Sequence, residues 1–203
     1  MTGIVFIISA PSGAGKTSLI NALVQHIGGV SISTSHTTRT KRSCEKNDVQ
    51  YHFINKKLFL DMVFNNQFLE YAKVFGHYYG TSRAWVMKIL ASLEDVILEV
   101  DWQGAKQIRK KIPETVSIYI LPPSKSRLTQ QLNDRNQDNQ SIIKMRMKQA
   151  KQEISHYDEY NYIVINEHFE EAVADLKCII QANRLSLLSQ SVKFKHIISK
   201  LQE

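Results

Sequence analysis

Residues 3–24 impose a strand, a tight turn and a helix in immediate succession, and few folds accommodate that order. The run Gly3-Ile4-Val5-Phe6-Ile7-Ile8 is almost entirely β-branched or aromatic, the composition of a strand buried on both faces. From Thr17 to Val24, apolar residues recur at helical spacing. Between the two lies Ala10-Pro11-Ser12-Gly13-Ala14-Gly15-Lys16-Thr17. A helix start presents unpaired N–H groups, and a glycine-rich loop ahead of it folds around an anion. Gly13 and Gly15 admit positive φ and close backbone approach. Lys16 adds a mobile positive charge, and Thr17 a hydroxyl in the first helical turn. The pattern predicts the phosphate-cradling loop of nucleoside triphosphate enzymes: residues 10–17 around ATP, Lys16 on the β- and γ-phosphates, Thr17 on Mg²⁺. Ala10 stands where such loops usually begin with Gly. The bland alternative, a glycine-rich turn with a stray lysine, leaves the flanking strand and helix unexplained.

The alternation continues along the chain. Buried-strand composition returns at 95–101, 116–121 and 162–165, and helical spacing at 102–111, 125–132, 141–157 and 170–187. Strands alternating with helices predict an α/β fold with a doubly wound parallel sheet, the phosphate loop lying at its carboxyl edge. Residues 34–93 differ in character. An exposed loop over 39–50 is followed by a strand at 51–54, a helix at 57–65, antiparallel strands within 68–79 and a helix at 83–93. Leu58, Phe59, Met62 and Val63 are expected to face inward from the first of those helices. This stretch predicts a small mixed lobe inserted into the core. In the tail, 189–203, Val192, Phe194, Ile197, Ile198 and Leu201 recur at helical spacing. They pack on the domain or on a partner chain, which leaves a homo-oligomer open.

Bulk properties exclude several classes. The 203 residues suffice for one α/β domain, and a hydrophobic fraction of 43% predicts a folded globular chain. The longest apolar run is too short to cross a bilayer and the N-terminus lacks a signal-peptide layout, so no membrane is expected. Cys44 and Cys178 lie far apart without metal-type spacing, which predicts a reducing, cytoplasmic setting. The net charge of +7 suits either nucleic acid or small phosphorylated substrates. The basic residues form no long block with interleaved aromatics, so no nucleic acid is expected as partner.

Short polar segments narrow the function. Ser35-His36-Thr37-Thr38-Arg39-Thr40-Lys41-Arg42 is followed by Glu45, Tyr51, Glu70 and Tyr78-Tyr79-Gly80-Thr81-Ser82. Arginines supply forked donors that match phosphate oxygens, and a phenol supplies one more, so Arg39, Arg42 and the tyrosines are a candidate phosphate clamp, the bland alternative being a basic loop with surface aromatics. The strings SAPSGAGK, SHTTRTKR, FLEYAKVFGHYYGTS, VDWQG, ILPPS and SHYDEYNYIVIN together resemble the guanylate kinase family over residues 2–185.

That resemblance implies ATP and GMP as substrates, Mg²⁺ as the metal, and three parts. These are a core (2–33, 94–124 and 147–188), a GMP lobe (34–93) and a helical lid (125–146). Arg39, Arg42, Tyr51 and Tyr79 match the positions that hold the GMP phosphate, and Glu70 matches the guanine reader, with Ser35 and Thr81 beside it. Glu45 and Glu99 belong to the same substrate-binding set. Guanine offers N1–H and an exocyclic amine to a carboxylate, whereas adenine turns an acceptor toward it. Asp101 ends a strand where a carboxylate holds Mg²⁺ with Thr17; its bland alternative is a helix cap. Arg135 and Arg146 match lid arginines, and with Lys16 and Arg39 they are the expected catalytic set. Three positions depart from the family: Glu99 stands where relatives carry Asp, Gln131 where an arginine often stacks on adenine, and Asn136 where glycine is common. The rival readings are a catalytically inactive guanylate kinase-like interaction module and a nucleic-acid-stimulated ATPase.

Overall fold

In the computed structural model, residues 3–42, 45–74, 76–134 and 140–203 are described, with side chains except at 134 and 140–144. The first strand, β1 (Val5–Ser9), leads through the glycine-rich turn into α1 (Lys16–Gln25). β2 (Val30–Ile32) follows, then β3 (His36–Thr37), β4 (His52–Phe53), α2 (Lys56–Phe64), β5 (Phe68–Val74), β6 (His77–Ser82) and α3 (Arg83–Ala91). β7 (Asp95–Glu99), α4 (Trp102–Lys111) and β8 (Val116–Leu121) return to the main sheet. α5 (Lys125–Asp134) and α6 (Gln140–Ile154) precede β9 (Tyr162–Ile165), α7 (Phe169–Arg184), α8 (Leu187–Lys193) and α9 (Lys195–Leu201).

The main sheet runs β2-β7-β1-β8-β9, all parallel. Alternation along β1 sends Phe6 and Ile8 to one face and Val5 and Ile7 to the other. The first pair packs with Ile97, Ile118, Ile120 and Val164 under α1 and α7, through Leu19, Leu23, Leu176 and Ile180. The second pair packs with Val96 and Leu98 under α3 and α4, through Val86, Leu90, Ala105 and Ile108. β1 is therefore covered twice, which explains its continuous apolar run. The sheet order reverses at β1, so its carboxyl end opens the crevice in which such sheets bind ligands. At the opposite edge of the sheet, the buried Asp95 accepts from Ile4 N–H at 2.8 Å and from Arg184 Nε at 2.7 Å. Arg184 also donates to the Gly28 and Gly29 carbonyls, tying α7 to the strand starts.

Two expectations fail locally. β9 is largely exposed, with Ile163 at 46% and Ile165 at 47%, because it ends the sheet order and only Val164 faces the core. Leu58 is 46% exposed, Met62 and Val63 are half-buried, and Phe59 is the fully buried residue of α2, stacked on Phe68 at 4.6 Å and Tyr78 at 5.4 Å.

A second, four-stranded sheet runs β4-β3-β6-β5. β5 and β6 form an antiparallel pair with Glu70 opposite Thr81 and Ala72 opposite Tyr79, and a register irregularity between Phe68 and Glu70. That irregularity lets Leu69 enter the core beneath α4 while Glu70 remains across from Thr81. The outer edge of β5 is satisfied by α4: Gln107 accepts from Tyr71 N–H and donates to the Tyr71 carbonyl, and Lys111 donates to that of Leu69. α8 and α9 cover little apolar surface of their own, with Leu187, Leu188, Val192 and Leu201 exposed.

Candidate active site

A cavity of about 530 Å³ opens between the two sheets at the carboxyl end of β1. One wall is the glycine-rich turn. Gly15 caps α1 at φ 84° with no side-chain cap, so the first N–H groups of the helix are left for a ligand. A Cβ at Gly15 would come within 2.7 Å of Asn166 Nδ2, which donates to the Ala14 carbonyl at 2.9 Å. The turn is thus braced from the end of β9, and only glycine fits its last position.

Strand register places the acid beside it. Ile8 pairs with Glu99, the last residue of β7, next to where the turn begins. Glu99 Oε1 accepts from the Thr17 hydroxyl at 2.6 Å and lies 3.3 Å from Lys16 Nζ. Glu99, which the sequence placed on the substrate side, therefore meets the glycine-rich turn itself. Asp101 lines the cavity and also caps α4, its Oδ1 accepting from Gly104 N–H at 2.9 Å and its Oδ2 from Gln103 at 3.2 Å.

The far wall comes from the small sheet. Glu70 is 3% exposed and its Oε1 accepts from the Thr81 hydroxyl at 2.6 Å. Burial pushes its carboxyl up to about 7; the Thr81 hydrogen bond opposes that rise and the Asp101 charge adds to it. The head of α4 closes over Glu70, and a Cβ at Gly104 would stand 2.5 Å from Glu70 Oε2. Glycine in the helix is what allows this approach. Thr81 acts on the cavity through Glu70, while Ser35 lines it directly.

Arg39, Arg42, Tyr51 and Tyr79 converge on the same cavity. Arg39 is held by Glu45 in a two-point contact, NH2 to Oε1 at 2.7 Å and NH1 to Oε2 at 3.0 Å. Glu45 Oε2 also accepts from Arg42 N–H at 2.8 Å, and the Arg39 hydrogen bond holds its carboxyl below the usual range. The Arg39 guanidinium lies 5.5 Å from the Tyr51 ring centre, and the Tyr51 and Tyr79 rings are 5.9 Å apart. Burial raises the Tyr51 phenol to about 12, so it stays a neutral donor. Glu45 thus fixes the orientation of the Arg39 guanidinium at the cavity wall.

α6 reaches the cavity too. Arg146 lines it from α6, while Lys148 is exposed. Leu128 and Leu132 of α5 pack with Ala150 of α6 and cover Gly13. Gln131 is half-buried, and among the described residues its Oε1 finds no hydrogen-bond partner. Arg135 and Asn136 lie outside the described residues. Sequence reasoning passed over Asn166 and Glu153, whose Oε2 accepts from Ser12 N–H at 3.0 Å. Asn166 closes the recognised string SHYDEYNYIVIN, and that position was the available signal.

A glycine-rich strand-to-helix turn on a parallel sheet, facing a buried carboxyl and an arginine–tyrosine cluster beside a second sheet, is the architecture of a nucleotide phosphotransferase. The comparisons make it specific. The guanylate kinase family model matches residues 3–183. A guanylate kinase from Vibrio cholerae is 50% identical over 201 residues, covering 98% of this chain and 97% of the relative. One from Saccharophagus degradans is 49% identical over 200 residues, with 98% of each covered. The crystal structure of guanylate kinase from Anaplasma phagocytophilum superposes with a TM-score of 0.78 at 30% identity, covering 92% of this chain and 88% of the other. The chain belongs to the guanylate kinase family.

Proposed function

We propose that the chain transfers the γ-phosphoryl group of ATP to GMP or dGMP, giving ADP and GDP (or dGDP), as a step in purine nucleotide metabolism in the cytoplasm. The observation that carries this reading is Glu70, a buried carboxylate facing the same cavity as the Lys16 loop. A carboxylate accepts both Watson–Crick donors of guanine, and with adenine it would confront a lone pair. Ser35 assists at the base, and Arg39, Arg42, Tyr51 and Tyr79 grip the monophosphate. The residues divide accordingly into a core, a GMP lobe over 34–93 and a lid over 125–146.

An oxygen of the GMP phosphate attacks the γ-phosphorus of ATP, and the bond from that phosphorus to the β–γ bridging oxygen breaks in line, with ADP leaving. No covalent enzyme intermediate is needed. Lys16 follows the migrating charge, and Arg39, Arg135 and Arg146 neutralise the equatorial oxygens. Closure of lid and lobe excludes water, which would otherwise divert the phosphoryl group. The donors present suit Mg²⁺, which takes one or two carboxylates and completes its shell with phosphates and water. Among the described residues no three His, Cys, Asp or Glu gather as a self-sufficient cage. Thr17, with the Glu99 and Asp101 carboxylates nearby, would hold the ion, which supplies charge neutralisation at the β- and γ-phosphates. Full-length relatives at about half identity favour the enzyme over a silent interaction module.

A coupled assay of ADP formation with GMP, AMP, CMP and UMP tests the proposal. Turnover strongly selective for GMP is expected. Equal turnover with AMP, or none with any monophosphate, would overturn it.

A further inference from the structure

One acid in the cavity has no part in the scheme above. Glu153 lies seven residues beyond Arg146 on α6, two helical turns on, so both side chains occupy one face, and both line the cavity. Other residues of that stretch, Lys148 and Lys151, are exposed. Glu153 Oε2 accepts from the backbone N–H of Ser12, the third residue of the phosphate loop, across 141 positions of sequence. Burial raises its carboxyl above the usual range; the Ser12 N–H and Lys16 oppose that rise, and Asp101 adds to it. A surface acid would not keep such a place at a cost in solvation. The loop is therefore joined to both lid helices: to α5 by packing of Leu128 and Leu132 on Gly13, and to α6 by a directional bond.

We infer that Glu153 is a positioning residue: its bond to Ser12 N–H fixes the rotation and distance of α6 against the phosphate loop, and so delivers Arg146 to the migrating phosphoryl group. This rests on the role given to Arg146 above. Catalysis by placed charge is sensitive to ångström errors, so a lost tether costs rate even where the fold survives.

The experiment is a double-mutant cycle on the full chain, measuring kcat and both KM values for Glu153→Ala, Glu153→Gln, Arg146→Ala and the double variant. Glu153→Ala is expected to lower kcat about tenfold, leaving KM for GMP within about twofold. Glu153→Gln keeps length and a carbonyl acceptor, and is expected to retain at least about a third of kcat. In the Arg146→Ala background, removing Glu153 is expected to cost less than about twofold more. If Glu153→Ala does not fold, Glu153→Asp, which withdraws the carboxylate by one methylene, replaces it with the same expectation. An unchanged kcat, or the same loss in both backgrounds, overturns the inference, since a residue that merely supports α6 would act additively. A strong single effect of Arg146 with an additive Glu153 sinks this inference alone. An inert Arg146→Ala sinks the lid reading, and this inference with it.

Discussion

Binding of GMP should release protons near neutral pH, and Glu70 sets how many. Its carboxyl stands at about 7 when the cavity holds no base, so about half of the molecules carry the proton at pH 7. Guanine offers two donors, which a protonated carboxyl cannot accept together, so the bound state holds Glu70 ionised. About 0.5 proton is therefore released per GMP at pH 7, against about 0.1 from the nucleotide phosphate, whose second pKa is near 6. Affinity should fall about twentyfold between pH 8 and pH 6, about tenfold of it from Glu70 and about twofold from the phosphate. The same group acts on the unliganded fold. Its folded pKa lies above the ordinary 4.5, so its contribution to stability is fully present below 4.5 and is lost as pH rises through about 7. The gap corresponds to about 3 kcal/mol at most. Isothermal titration calorimetry in two buffers of different ionisation enthalpy counts the protons, and urea denaturation across pH reads the stability. Glu70→Gln should reduce the release to about 0.1 and flatten the stability slope between pH 4.5 and 7. Release of 0.1 proton or less by the unaltered chain would refute the reasoning.

In the proposed reaction Lys16 supplies a charge at the migrating phosphoryl group, so Lys16→Ala should lower kcat by about 10²–10³. Arg39→Ala should cost the same order at low GMP, and near-full turnover there would sink its assignment to the phosphate clamp. Asp95→Ala strands Arg184 and the Ile4 N–H at the start of the sheet, and should lower unfolding free energy by about 3 kcal/mol in urea without moving KM. Gln131→Arg supplies the cation that the family resemblance places at this position, and a fall in KM for ATP of roughly two- to tenfold is expected.

The core was legible in the sequence wherever periodicity had one solution. α4, β8 and β9 fall where the pattern put them, because helical spacing, Pro113 and Pro122-Pro123 mark their ends. Exposure was less legible: Ile163 and Ile165 read as core but face outward, since an edge position is set by strand order and not by composition. Many of the residues singled out in the sequence line one cavity, yet their pairings were not legible. Nothing local says that Thr17 meets Glu99, that the Phe68–Glu70 irregularity places Glu70 across from Thr81, or that Gly104 makes room for its carboxylate. Glu153 escaped notice for the same reason, since its partner is a backbone N–H far away in sequence.

The most direct test of the central claim follows label from [γ-³²P]ATP in the presence of Mg²⁺ and GMP. Label in GDP, absent with AMP and lost in Lys16→Ala, is the predicted result. Label appearing only in inorganic phosphate, with GMP unchanged, would show hydrolysis in place of transfer and contradict it.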